Sequence, residues 1–562
     1  MYKIFYSPLF YFMLCHFVLM VVLFVLNFKY LIKEFKKINK KVLLILLIIF
    51  LFGSYLRNSE YWLGTHTDGY VAQESAKMWI LHGEHFKSCG LGNQIECEIP
   101  EQVLAPPGFP LLIVIAHLIF GLNSLNASVI SAVLSSLIII LVFLNSWLLF
   151  KNEKIGLISA FIFSVIPINI INSQTGLSRP VGLFFVSICV LFYLLALKHK
   201  KYSLWFAVVV FLSYAIYVRQ ESYALLPVFL LFFVIFNWRK IKNFKEIYLE
   251  YYLKFIEISL IFFILQLHVL RWLLFNNPYN SYGHGGFFAL HYSGILIQGK
   301  ALFLQLFNNW GDFYHYNFIF SFFFLFGFFI LLVKFKKNNF FILSIFGIYF
   351  LVYSLMFDGG MALGKYVLTG DYMRRSIMFD LSYSIVSGYG LFFIFSLFLK
   401  GKNFLSNIFI FFILLHLLFL FQFIFNTDIN NLKLIYLPNS LFKDSRADKE
   451  GDKTLIHPNN EYWNIIKNTP NNCMVVSSQY LLVTSDYFKN NNRKTAQIDL
   501  INHQTQDKYL KVFKESKCII YISDYRCRHS DDFGCLFIDR YFENEPLYKI
   551  NDLTVNMVKI KD

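Results

Sequence analysis

The stretch HTDGYVAQESAKMWILHGE (66–84) sets a carboxylate, Asp68, beside Gly69 and Tyr70 in an otherwise apolar neighbourhood. A carboxylate held next to a hydroxyl can take its proton as a general base. Asp is also a common helix N-cap. Asp68 directly precedes a helix-like pattern in which Val71, Ala72, Ser75, Met78 and Trp79 fall near one face. His66, His82 and His85 lie close in sequence to Asp68 and Glu84. Imidazole and carboxylate are usual ligands of divalent metals, but this spacing fits no standard zinc motif. Surface histidines are the commoner explanation and a divalent metal the alternative.

A second chemistry needs cations. Arg179 (in SRPVG), Arg219 with Glu221 (in YVRQESYALLP) and the pair Arg374–Arg375 stand at the ends of apolar runs, and Lys365 lies between two of them. The planar guanidinium offers paired donors that match a phosphate. Lys and Arg flanking a span also snorkel to the interface, and Arg219–Glu221 equally reads as a structural ion pair. The Gly-, Tyr- and His-rich loop NPYNSYGHGGFFALHY (277–292), with His284, is long enough to cover a site or bind an acceptor, or to be an ordered connector.

The elements that must position these residues are mostly apolar. The 562-residue chain is 57% hydrophobic and 15% charged, with a mean hydropathy of +0.52. Apolar runs near 8–28, 42–56, 126–149, 155–171, 180–197, 203–217, 222–237, 253–273, 317–333, 340–356, 376–399 and 404–425 predict an all-α polytopic membrane protein of about twelve spans. The net charge of +16 sits in clusters between these runs: 29–41, KHKK (198–201), WRKIKNFK (238–245), KFKKNN (334–339) and KGKN (400–403). That is the positive-inside pattern, so it argues for cytoplasmic loops and against a nucleic-acid partner.

With those clusters inside, both termini and the regions 57–125, 172–179, 274–316 and 357–375 lie outside. The short apolar stretch 108–122 then reads as a helix in the membrane interface. Residues 426–562 are polar, with strand-like runs CMVVSS (473–478), CIIYIS (518–523), CLFID (535–539) and LTVNMVKI (553–560) and a helix-like stretch at 504–516. They predict a small extracytoplasmic α/β domain after a 42–425 membrane domain, itself preceded by an additional span and basic loop (1–41). Cys89, Cys97, Cys473, Cys518, Cys527 and Cys535 all fall in the external regions. An even external set predicts at least one disulfide; Cys89/Cys97, Cys527/Cys535 and Cys473/Cys518 are the pairings considered.

The order of these motifs resembles the GT-C class of membrane glycosyltransferases over roughly 42–400, closest to the protein O-mannosyltransferase and aminoarabinose transferase family. The matching positions are Asp68, Gly69, Tyr70, Ala76 and Gly83, then Pro106, Pro107, Gly108, Phe109, Pro110 and Leu111. Further on come Arg219, Gln220, Glu221 and Pro227, where Gln replaces the usual proline, and Arg374–Arg375 at a late span start. The resemblance implies a polyprenyl-phosphate sugar donor, Asp68 as catalytic base, an inverting displacement, and arginines on the leaving phosphate. The acceptor would be a lipid, a polysaccharide or a protein, reached from the outer face of the plasma membrane.

Two departures stand out. The second outer loop reads Ser178-Arg179-Pro180 where the family places an acid before the proline. Residues 426–562 also lack the WWDYG motif of oligosaccharyltransferases. A glycan polymerase, a lipid flippase or a transporter is the competing class; a transporter places its charges at the bilayer midplane on broken helices.

Overall fold

The computed structural model describes residues 3–58, 67–84, 88–92, 97–101, 106–123, 125–174, 176–242, 257, 259–267, 303, 318–334, 336–355, 376–398, 473–477, 495–497, 501, 505–523, 533–550 and 553–560, some of them by backbone alone. Expectations on the span 404–425, on most of 274–316 and on 357–375 lie outside these residues. Contacts divide the chain into two compact units. One comprises Met1–Phe12, Trp62–Ser128 and Phe442–Asp562, the other Met13–Tyr61 and Val129–Leu441. These units cross the 41/42 and 425/426 lines drawn on the sequence.

The helices, in chain order, are α1 (Pro8–Phe35), α2 (Lys40–Asn58), α3 (Thr67–His82), α4 (Gly108–Phe120), α5 (Asn126–Phe150), α6 (Glu153–Ser164), α7 (Pro167–Gln174), α8 (Ser178–His199), α9 (Tyr202–Val218), α10 (Leu225–Lys242), α11 (Phe318–Val333), α12 (Lys337–Leu355) and α13 (Asp380–Phe398). Two more, α14 (Gln506–Glu515) and α15 (Phe533–Tyr541), lie near the C-terminus. Among the described residues five helices are long and apolar enough to cross a membrane, six if the bent α6–α7 pair counts as one. They make the chain a multi-pass membrane protein.

The 155–171 run is not one straight span. Helices α6 and α7 meet at 64°, because Pro167 has no N–H to offer the Phe163 carbonyl. Asn152 caps α6 by accepting from the Lys154 and Ile155 amides. The additional helix α1 runs on to Phe35, seven residues past the expected end at 28, and is tied by polar contacts to α8 and α9. His16 Nε2 lies 3.1 Å from the Val210 carbonyl, and Ser203 Oγ donates to Asn27 Oδ1 at 2.8 Å. Glu34, fully buried, faces Lys198 at 2.7 Å and His199 at 3.1 Å. Helices α11 and α13 touch through glycines: a Cβ on Gly390 would stand 2.2 Å from the Phe323 carbonyl, and one on Gly327 2.3 Å from that of Val386. Small residues allow this backbone approach, which is how apolar helices gain packing in lipid.

The other unit holds a seven-stranded sheet. Its strands are β1 (Ser88–Gly92), β2 (Cys97–Glu101), β3 (Met474–Ser477), β4 (Thr495–Gln497), β5 (Ile519–Ser523), β6 (Phe542–Ile550) and β7 (Leu553–Ile560). The spatial order is β2-β1-β4-β3-β5-β7-β6. Strand β3 runs parallel to β4 and β5; the remaining pairs are antiparallel. The hairpin of β1 and β2 thus extends the C-terminal sheet, with Leu91 opposite Ala496.

Helices α14 and α15 pack on the sheet through Tyr509, Val512, Phe513 and Phe537. Here one expectation is corrected: CLFID lies within helix α15. Its Phe537 and Ile538 enter the same core that a strand would have filled, and a five-residue apolar run does not distinguish the two by period. Cys473 and Cys518 form a disulfide with a Cα separation of 4.5 Å, next to the paired residues Met474 and Ile519 of β3 and β5.

Candidate functional site

Helix α3 carries Asp68 and Tyr70. The helix begins at Thr67, so Asp68 stands in its first turn, where an acid complements the helix dipole, and is not the residue before the helix. The side chains of Asp68 and Tyr70 lie outside the described residues, as do His66, His85, His284, Lys365, Arg374 and Arg375. The body of α3 is not the solvated helix its polar sequence suggests. Every residue from Ala72 to Ile80 is buried, Gln73, Glu74 and Lys77 included.

Three ties fix α3. Trp79 Nε1 donates to Ser7 Oγ at 3.0 Å. Gln73 Oε1 accepts from the Ala127 amide at 3.2 Å, and Gln73 Nε2 donates to the Asn123 carbonyl at 2.8 Å and lies 3.1 Å from His117 Nε2. The other nitrogen of His117 is 2.9 Å from Asn126 Nδ2. Gly83 ends the helix at φ +76°, where an added Cβ would stand 2.7 Å from the Lys3 carbonyl. Sequence reasoning gave His117 and Gln73 no role, since one lies in an apolar run and the other reads as a solvated helix position.

A second group forms at the head of α8. Helix α9 ends at Val218, and Arg219 begins the tight 3₁₀ turn Gln220–Ala224 with its carbonyl accepting from the Ser222 amide at 3.0 Å. Arg219 grips Glu221 with both edges of its fork, through Nη2 to Oε1 and through Nε to Oε2 at 3.1 Å. Its Nη1 points to Ser178 Oγ at 3.4 Å. Gly182 leaves room for this: a Cβ there would stand 2.6 Å from Arg219 Cγ. Arg179 and Glu221 are buried.

Burial pushes the Glu221 carboxyl up. The Arg219 guanidinium, helped by Arg179, outweighs burial and holds it below the usual carboxylate range. The structure therefore brings Arg179, Arg219 and Glu221 together. Among the described residues, two guanidiniums are thus placed close to one carboxylate, and a guanidinium is a fitting group for an anion. Among the described residues no group of three or more His, Cys, Asp or Glu side chains could hold a metal ion. Two further charged groups that sequence reasoning passed over, Arg57 and Asp380, are fully buried and meet through Asn169.

With this geometry in place, known proteins can be compared. The sequence matches the dolichyl-phosphate-mannose-protein mannosyltransferase family over residues 105–267, a segment that contains Arg179, Arg219 and Glu221. No curated protein matches. The structure matches ArnT from Cupriavidus metallidurans bound to undecaprenyl phosphate with TM-score 0.53 at 10% identity, covering 92% of this chain and 97% of that one.

The fold is that of the GT-C membrane glycosyltransferases.

The apo form of the same ArnT gives TM-score 0.51 at the same identity and coverage. The oligosaccharyltransferase AglB from Archaeoglobus fulgidus, in complex with an inhibitory peptide and a dolichol-phosphate, gives 0.48 at 12% identity over 93% of this chain and 74% of its own. The match to ArnT covers 92% of the chain, whereas the family match covers its middle and begins after Asp68.

Proposed function

We propose that the protein transfers a sugar from a polyprenyl-phosphate donor to an acceptor hydroxyl at the outer face of the membrane. The observation that supports this reading is the Arg179–Arg219–Glu221 group, in which Arg179 and Glu221 are buried and Arg219 partly so, inside the family-matched segment of a GT-C fold. A membrane-embedded donor offers a phosphate anion, which guanidiniums meet with charge-assisted hydrogen bonds; the fork of Arg219 is engaged by Glu221, so its share in holding the phosphate is electrostatic.

The reaction is a single in-line displacement. The Asp68 carboxylate takes the acceptor proton as the acceptor oxygen bonds to the anomeric carbon. The bond from that carbon to the phosphate oxygen breaks, its electron pair stays on the phosphate, and the anomeric centre inverts. Arg179 and Arg219, with Lys365, Arg374 and Arg375 from the late outer loop, hold the departing charge. His66, Tyr70, Glu221 and His284 are the residues assigned to the acceptor, which is a lipid, a polysaccharide or a protein.

The C-terminal segment lies on the outer, oxidising side of the plasma membrane, a placement supported by the Cys473–Cys518 bridge. After reduction, thiol labelling of Cys473 by an impermeant reagent is expected only from outside; labelling from the cytoplasmic side contradicts it. The donor reading is tested by binding. A polyprenyl phosphate is expected to raise the thermal midpoint of the purified protein, and the corresponding polyprenol to leave it unchanged. Equal shifts with the two lipids contradict a phosphate site.

A further inference from the structure

We propose that Arg57 is a positioning residue. With Ser135, Asn169 and Asp380 it locks the break between α6 and α7 and so sets the chain that enters α8 at Arg179. The inference rests on the reading of Arg179 as a phosphate ligand. Arg57 sits in the last turn of α2 and is fully buried, as are Ser135, Ser164, Asn169 and Asp380. A guanidinium has five N–H donors, and here each has an acceptor. Nε donates to Ser135 Oγ at 3.0 Å. Nη1 donates to the carbonyls of Gly53 at 3.0 Å and Ser164 at 2.9 Å. Nη2 donates to the Phe163 carbonyl at 3.0 Å and to Asn169 Oδ1 at 3.3 Å.

The carbonyls of Phe163 and Ser164 belong to the last turn of α6, where Pro167 interrupts the ladder. Helix carbonyls at such a break are costly in an apolar medium unless a group satisfies them. The Phe163 carbonyl keeps one long bond, from the Ile166 amide at 3.4 Å, and Arg57 adds the shorter contacts to it and to Ser164. In transporters, carbonyls exposed at such a break are available to coordinate a cation; here the guanidinium occupies them, which weighs against the transporter class. Gly53 makes the approach possible, since a Cβ there would stand 2.4 Å from Ile139 Cδ1 and 2.9 Å from Ser164 Cβ.

The network continues beyond the break. Asn169 Oδ1 also accepts from Ser135 Oγ at 2.7 Å, and its Nδ2 donates to Asp380 Oδ2 at 2.9 Å. At the far end of α7, Gln174 Nε2 donates to the Leu56 carbonyl at 2.8 Å. Helices α2, α5, α7 and α13 are thereby held at one point. Within the same unit, Arg179 follows Asn169 and Arg374–Arg375 precede Asp380 within a short length of chain. Buried charge networks of this kind add little stability over an apolar core, and ionisable residues inside membrane segments are mostly functional. What the fork adds is a defined geometry at the break.

The test uses Arg57→Lys, which keeps the charge and loses the fork, and Ser135→Ala, which removes one contact. Hydrogen exchange, thermal midpoint and polyprenyl-phosphate affinity are read on the full-length protein. In R57K, exchange at 168–174 is expected to rise and the Kd for polyprenyl phosphate to rise, each about tenfold, the effect of losing one charge-assisted hydrogen bond. S135A is expected to shift both readouts in the same direction by less, while α8 and α9 keep wild-type protection in both variants. Wild-type exchange at 168–174 overturns the proposal, as does loss of protection spread evenly over all helices, the mark of a purely structural residue. If R57K does not fold, S135A decides by the same criteria. If the wild-type protein itself does not bind polyprenyl phosphate, the donor reading fails, and the exchange arm still decides whether Arg57 holds α7.

Discussion

Asp68→Asn is expected to lower the rate of sugar transfer by about 10²–10⁴-fold, the usual contribution of a positioned general base, with donor affinity preserved. The carboxamide keeps the size of the carboxylate and cannot take a proton at neutral pH. Helix α3 does not depend on Asp68 for its place. It is held by Trp79 on Ser7 and by Gln73 on Ala127, Asn123 and His117, so the substitution leaves the fold intact. Steady-state kinetics with a polyprenyl-phosphate sugar separate the outcomes. A fall in kcat at unchanged donor KM is expected. An unchanged kcat accompanied by a small loss of stability, about 0.3–1 kcal/mol from the helix dipole, would assign Asp68 to the helix terminus alone.

Glu221→Gln has the second large effect. Removing one partner of a buried ion pair costs about 3–5 kcal/mol, because the buried Arg179 and the partly buried Arg219 lose the Glu221 carboxylate. If these arginines also serve a donor phosphate, the lipid restores the missing negative charge. Polyprenyl phosphate is then expected to raise the thermal midpoint of E221Q by more than it raises that of the wild type. A destabilised variant that gains no more than the wild type from the lipid would make the arginine–glutamate turn a purely structural pair.

These two residues differ in how far sequence reasoning reached. The Arg219–Glu221 turn was legible because two opposite charges two residues apart between apolar runs have few other arrangements. Arg57 and Asp380 were not. A charge at the end of an apolar run reads as an interfacial flank, and the partners that bury it come from helices distant in the chain. The break at Pro167 was hidden for a related reason: the apolar run continues through it, and the 64° bend is seen only in the structure.

The C-terminal segment shows the same limit. The Cys473–Cys518 bridge was one of three pairings left open, since a cysteine also opens the strand-like run CLFID. The run CLFID was misassigned because its burial, not its period, dominates the pattern. Strands β1 and β2 are short, and β1 (SCGLG) has no β-branched residue. Its pairing with β4 is a long-range contact that no local signal announces.

Transfer itself is the central claim, and one measurement meets it directly. Purified protein in lipid is supplied with polyprenyl-phosphate sugars labelled in the sugar, together with lipid, polysaccharide and peptide acceptors bearing free hydroxyls. The account predicts that label leaves one of these donors and appears on a hydroxyl of one acceptor class with the anomeric configuration inverted. A wild-type protein that binds polyprenyl phosphate and yet leaves every labelled donor intact across all three acceptor classes would contradict it.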